Sequence, residues 1–459
     1  MNLNSKSRQL AGCGRFRLRT LLAVALGAII VAGCSPDASE SEQATTESIR
    51  VSDVPLRIQV LGEVLESNLI KRQWLANSDQ PIEIITRVPE DSLEDLPACD
   101  VLIYPARRLG DMVRLEQVYE LPATVIDADA EDSEGTFLPL SGAQTSQASF
   151  GGELYAVPLG QSMTHVIGND ALAKKLGEKL VGGAVSWDAI LQGLGGESTL
   201  EQSAKAFNSD SADAEALVDR FLAIAASTVT KNPSYGLLFD LQTMQSLLHD
   251  DAFVEAASML RQLATPEGAQ QSVFGSHDDA WQWATRGDDP RVGIVTLTRL
   301  SKDAAAGGTG VALQIAGEQA MTWDTGDGLL ASLSIHCRQT AQGISFLKWL
   351  RERQTRQSLS DWVVGIDSIQ NDATSSPLLQ EIYRHQADWR GSGAIPREPS
   401  LPRTHSFREI LGEELLRIVG GQVEPAAGMK AASDRWSEIA KNEGGRLRKE
   451  YEDSLGLGF

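Results

Sequence analysis

Apolar and polar positions along this chain follow two periods. Leu56-Arg57-Ile58-Gln59-Val60-Leu61 alternates residue by residue and predicts a strand. From about Val64 to Leu75 apolar positions recur at helical spacing. Ile82-Glu83-Ile84-Ile85 is a second strand. Val101-Leu102-Ile103-Tyr104, apolar on both faces, has the pattern of a buried parallel strand. Strand, helix, strand, loop, strand predicts an α/β sheet with crossover helices.

The pattern continues downstream. Gly151-Gly152 opens a turn before a short strand that stops at Pro158, and Met163 to Gly168 is another strand. Asn169 starts and Gly177 stops a helix, and Ser186 caps a second one beginning at Trp187. From Ala204 to about Gly287 the periodicity is mostly helical, clearest over Ala252 to Leu263. Val292 to Leu297 and Leu329 to Ile335 are strands, with a helix over Thr340 to Arg353. The tail from Leu378 to Glu450 is helical, broken by loops rich in Gly and Pro. There is no internal repeat.

The first 34 residues depart from this pattern. Lys6, Arg8, Arg15, Arg17 and Arg19 lead into an apolar run from Leu21 to Val31. A basic stretch, a short apolar stretch and small residues before a cut site predict a secretory signal, and the run is short for a membrane span. Val31-Ala32-Gly33-Cys34 resembles the bacterial lipobox, with valine where leucine is usual. That resemblance implies a signal peptide over 1–33 and acylation of Cys34 as the mature N-terminus. It also implies a protein held in the periplasm or at the cell surface by lipid, each buried methylene contributing about 0.8 kcal/mol. The plainer alternative is an ordinary secretory signal or N-terminal anchor in which Cys34 has no role. Ser35 to Ser48 is mostly Ser, Glu, Thr and Ala, so 34–54 reads as a flexible tether.

Composition narrows the function classes. Net charge is −21, and loss of the five basic signal residues takes it to about −26. So acidic a surface repels phosphate backbones and argues against nucleic acid. Of four cysteines, Cys13 lies in the signal and Cys34 carries the proposed lipid; Cys99 and Cys337 remain, either as one disulfide or as two thiols. No CxxC spacing points to zinc or thiol redox chemistry. HExxH, GxSxG and Walker A patterns are absent. His277 beside Asp278 and Asp279 reads as a solvated helix start rather than a metal ligand. Trp281 and Trp283 read as one buried and one half-exposed residue of the helix before Val292.

Several stretches, taken in order, resemble the extracellular solute-binding proteins of bacterial ABC importers, in the group that includes maltose- and oligosaccharide-binding proteins. They are Asp100 to Tyr104, Gly152-Glu153-Leu154-Tyr155-Ala156-Val157-Pro158, Ile167-Gly168-Asn169-Asp170-Ala171-Leu172 and Ser186-Trp187-Asp188-Ala189-Ile190-Leu191. Further along come Leu333-Ser334-Ile335 with Phe346-Leu347-Lys348-Trp349-Leu350, then Leu415 to Gly421 with Ala426 and Ala431. Departures are Ile167-Gly168 where the family carries Tyr-Tyr, a middle segment over 192–250 without a match, and 6% aromatic content.

The resemblance implies a two-lobed α/β fold of the type II periplasmic-binding-protein kind. Lobe 1 would comprise 55–160 and 312–362, and lobe 2 would comprise 161–311 and 363–459. The crossings would lie near Pro158 to Ser162, Thr309 to Ile315 and Trp362 to Gly365. Hinge closure would trap a small solute, foremost a sugar or oligosaccharide, for delivery to ABC permease subunits by a monomer that needs no cofactor or metal. Ligand candidates sit at strand ends and crossings: Glu63, Tyr104, Arg108 beside Arg107, Gln161, Ser162, Trp323, Asp324 and Trp362. Aromatic faces would stack on sugar C–H faces, with carboxylates, amides and guanidinia on hydroxyls. Two alternatives remain: a binding lipoprotein outside transport, as sensor or scaffold, and a polyamine ligand suited to the acidic balance. A glycan hydrolase ranks lower, because no carboxylate pair stands out.

Overall fold

The computed structural model describes residues 53–61, 67–87, 93, 96–122, 125, 136–137, 140–177, 184–195, 213–228, 238–264, 275–315, 323–360, 376–392 and 397–456. In chain order, β1 (Leu56–Leu61), α1 (Ser67–Asn77), β2 (Ile82–Arg87) and β3 (Val101–Pro105) are followed by a 3-10 turn over Ala106–Arg108 and α2 (Leu109–Arg114). Next come α3 (Gly142–Gln147), the hairpin β4 (Ser149–Phe150) and β5 (Glu153–Leu154), and β6 (Val157–Pro158). Its turn, Gly151-Gly152, has φ of 61° and 87°, a conformation that costs glycine nothing. The chain then crosses to β7 (Thr164–Gly168), α4 (Asp170–Leu176), β8 (Ala184–Val185), α5 (Trp187–Gly193), α6 (Ala214–Thr228), α7 (Asp251–Leu263) and α8 (His277–Thr285). After β9 (Val292–Thr296), α9 (Lys302–Ala305) and β10 (Val311–Ile315) it returns to β11 (Leu329–Leu333), α10 (Thr340–Trp349) and α11 (Arg353–Ser360). The C-terminal helices are α12 (Pro377–Ser392), α13 (Thr404–Val419), α14 (Pro425–Glu443) and α15 (Gly445–Ser454).

Two sheets result. The first has the order β2-β1-β3-β11-β6, parallel over β2-β1-β3 and antiparallel where β11 meets β3 and β6. The second has the order β8-β10-β7-β9. Each has its own core. In the first lobe Trp74 packs edge-on against Phe346 and Trp349, at 5.2 Å to each ring. In the second, α6, α7, α13 and α14 cover one face of the sheet, with the Phe239 ring against Phe407, Trp436 and Tyr451. A third cluster, including Trp281 and Ile382, covers the other face. Such edge-on and offset ring pairs add about 0.5–1.5 kcal/mol beyond the area they bury.

Helix starts follow from side-chain caps. Asn169 accepts the Leu172 N–H at 3.0 Å and Ser186 the Ala189 N–H at 3.2 Å. Ser276 and Asp279 form a reciprocal capping box at the start of α8.

The chain passes from the first sheet to the second between β6 and β7. The second crossing does not lie at Thr309 to Ile315. Val311–Ile315 pairs with β7 and β8, so the boundary expected at 312 moves past Ile315, because this strand completes the second sheet. The crossing near Trp362 to Gly365 lies outside the described residues. Just before it, buried Arg356 of α11 donates to the carbonyls of Pro158 and Leu159, joining α11 to the first crossing. Cys99 and Cys337 are free thiols, and burial pushes both up to about 11.

Candidate functional site

The parallel strand β3 ends at Pro105 and delivers Arg107 to the junction with the second lobe. There Arg107 pairs with Asp327, in the loop before β11, and reaches Glu215 of α6 at 3.8 Å. The end of β9 delivers Arg299 to the same carboxylate. Its Nε and Nη2 bond Asp327 Oδ2 and Oδ1 at 3.1 and 3.2 Å. Bidentate guanidinium–carboxylate geometry of this kind fixes orientation as well as charge. Asp327 thus holds one arginine from each lobe.

A second hub lies behind it. Arg408 of α13 is 2% exposed and gathers three carboxylates. It bonds Glu215 at 2.8 Å, Glu398 at 2.6 Å and Asp219 at 2.5 Å. His277 accepts the Thr296 N–H at Nδ1 at 3.0 Å, so its neutral tautomer turns an Nε2–H toward Asp219, 3.3 Å away. Hydroxyls complete the junction: Ser162 Oγ lies 2.5 Å from Thr298 and 2.8 Å from Thr325, whose hydroxyl is 3.2 Å from Asp327.

Burial and pairing push these groups apart electrostatically. Burial alone would raise the Glu215 carboxyl, but Arg408 and Arg107 outweigh it and hold it down at about 2. Asp219 behaves alike: Arg408 and His277 overcome its burial and keep it well below the usual range. Glu398 goes the other way. Burial lifts it to about 7, with Arg408 offsetting only part. Burial likewise lifts Asp324 to about 6, against the Gly326 N–H and Arg397. Burial lowers the His277 imidazole, against the opposing pull of Asp219.

The sequence candidates divide. Ser162 stands in the junction, and Gln161 is buried in the same crossing. Asp324 is buried beside it, bonded to the Gly326 N–H at 3.1 Å. Arg108 pairs with Asp111 of its own turn at 3.4 Å, while its neighbour Arg107 is the arginine that enters the network. Tyr104 is not a platform in the junction. It lies in a strand buried on both faces, paired with Leu330, and its hydroxyl bonds Ser332 at 2.7 Å inside the first core. Trp323 is fully buried too, packed in the second core. His277 is not a solvated helix start: the cap turns Asp279 outward and the imidazole inward. Glu63, Trp362 and Cys34 lie outside the described residues.

Asp327, Arg299, Glu215, Asp219, Glu398 and Arg408 were not among the sequence candidates. One signal was available: Asp219-Arg220 interrupts a helix that is otherwise apolar from Ala216 to Ala226, and both are fully buried. Among the described residues, no group of three or more His, Cys, Asp or Glu side chains could hold a metal ion. No described helix is long and apolar enough to cross a membrane.

Two α/β lobes, joined by crossing segments that carry polar groups at the joint, define a class. The chain has the fold of ABC-transporter solute-binding proteins. It superposes on the maltose-bound protein MalE3 of T. maritima with a TM-score of 0.57 at 14% identity, over 84% of this chain and 100% of that one. For the sugar-binding protein MalE of Xanthomonas citri the TM-score is 0.59 at 11% identity, over 85% and 98%. For the substrate-binding protein Lmo0181 of Listeria monocytogenes, in complex with cycloalternan, it is 0.58 at 13%, over 83% and 97%. No family model and no curated protein matches the chain.

Proposed function

We propose that this chain is an extracytoplasmic, lipid-anchored solute-binding protein. It captures a small sugar or oligosaccharide between its lobes by hinge closure and delivers it, as a monomer, to the permease of an ABC importer. Lobe 1 is 55–160 with the return segment from beyond Ile315 to about 362; lobe 2 is the remainder to 459. The shared fold carries the reading, since neighbours of that fold hold maltose, cycloalternan, D-mannitol and α-D-tagatose. Charge balance supports it. Arg107, Arg299 and Arg408 face Asp327, Glu215 and Asp219, while burial lifts the Glu398 carboxyl to about 7. A nearly neutral junction suits an uncharged polyhydroxylated solute, whereas a polyamine needs a surplus of carboxylates.

The test is thermal unfolding against a panel of mono- and oligosaccharides, polyamines and amino acids. A sugar is expected to raise the melting temperature with the concentration dependence of mass action. A shift by polyamines alone, or by nothing in the panel, overturns the sugar reading. Cys34→Ala is expected to release the protein from the membrane fraction or block its processing; unchanged fractionation removes the lipid anchor. A second reading, a sensor or scaffold lipoprotein outside transport, draws on Tyr104 and Trp323, both taken up by the cores. Failure of the purified protein to stimulate or bind a cognate permease would favour it.

A further inference from the structure

We propose that the junction is a self-made clasp: the lobes are held shut by their own charges, and a solute must displace those charges to enter. The inference concerns the same junction as the proposed function but is decided by lobe geometry rather than by ligand binding.

Two sets of pairs run between the lobes. The inner set is Arg299 of the second lobe on Asp327, with Arg107 of the first on Glu215. Arg107, Asp327, Arg408 and Asp219 are each under 10% exposed. Removing one partner therefore strands the other in a low-dielectric interior, so the set releases as a unit or not at all. Arg408 keeps Glu215 ionised and aimed at Arg107, which makes it a positioning residue for a contact it does not itself make.

The outer set runs along α2. Arg114 pairs with Glu443 at the end of α14, and lies 3.7 Å from Glu450 of α15. The Arg403 N–H donates to Asp111 at 2.8 Å, and Ser400 donates to the Ala106 carbonyl at 3.0 Å. Gly110 completes the seam. A Cβ there would stand 2.0 Å from the Ser400 carbonyl oxygen, so the backbones touch. None of these bonds needs a guest. A solute offering hydroxyls can replace the inner pairs only after they part, and its apparent affinity falls by the fraction of time they are apart.

The experiment compares the processed wild-type chain with a triple variant, Asp327→Asn, Glu215→Gln and Arg114→Gln, in the absence of any sugar. Small-angle scattering of the wild type is expected to match the closed arrangement, and the variant to show a larger radius of gyration. Amide exchange at Arg403, which bonds across the seam, is expected to quicken by at least about tenfold in the variant. The Thr296 amide, bonded to His277 within the second lobe, is expected to keep its slow exchange, which separates opening from unfolding. A wild-type profile more extended than this structure overturns the clasp by itself. So does a folded variant that stays compact with unchanged Arg403 exchange. The sugar panel can fail while these results hold, and the reverse, so the two proposals fall separately.

Discussion

Arg408→Met removes the guanidinium that three carboxylates share and keeps an apolar stem of similar reach. The three acids lose unequally. Glu215 is 30% exposed at its side chain and keeps Arg107 at 3.8 Å, so solvent and that arginine cover much of its loss. Asp219 is fully buried and keeps His277 at 3.3 Å and the more distant charge of Arg299; Glu398, also buried, is left without its bonded cation. Breaking a buried pair costs about 3–5 kcal/mol, and two such orphans set the scale of the effect at neutral pH. The sign of the pH dependence follows. An orphaned buried carboxyl has a folded-state pKa above its unfolded value, so the variant loses stability as pH rises through that interval. In the wild type, the depressed Glu215 and Asp219 carboxyls lose their contribution only below about pH 4. The stability gap is therefore expected to be widest near pH 7.5 and to narrow toward pH 5. Urea titrations at both pH values, with slopes compared to verify a common unfolded state, measure it. A loss under about 1 kcal/mol at pH 7.5, or an equal loss at both pH values, would refute the shared-hub reasoning.

Other expectations follow from single residues. Asp324 and Glu398, lifted to about 6 and about 7, should make wild-type stability decline as pH rises from about 4 to 7; Glu398→Gln should flatten that decline in melting curves taken across the range. An unchanged slope would place the titration elsewhere. Trp323→Ala should cost about 3–5 kcal/mol of unfolding free energy as a core cavity. A variant of near wild-type stability with lost sugar affinity would return Trp323 to the binding surface. Gly110→Ala gains up to about 1 kcal/mol of helix propensity, but the collision with Ser400 should outweigh it at about 1–3 kcal/mol. A stabilised variant would show that the seam is looser than described.

The opening strands of the first lobe could be read from the chain, since β1, β2 and β3 carry the apolar patterns of strands. In the second lobe Asn169, Ser186 and Gly177 mark helix ends through local bonding or backbone conformation. The second crossing was misplaced because Val311–Ile315 reads as a strand in either lobe; only its partners β7 and β8 decide. The junction was legible by place and not by residue. Strand ends pointed to Arg108, beside Arg107, and to Ser162, but a strand apolar throughout gives no sign of which way its last aromatic turns, and Tyr104 turned inward. Arg408, Glu215 and Glu398 sit in ordinary-looking charged stretches. Arg408 and Glu215 meet because α13 and α6, far apart in sequence, pack together, and Glu398 joins them from the loop before α13, which no local pattern records.

The first sheet cannot be finished when its opening strands are made. Val101–Pro105 waits for Leu329–Leu333, more than two hundred residues later, to cover its open side. Until then a newly synthesised chain carries an apolar strand with unpaired main-chain groups, a template for mispairing. So distant a closure also makes folding slow. Slow closure of this kind leaves the newly made chain unfolded for longer than a sheet built from neighbouring strands would.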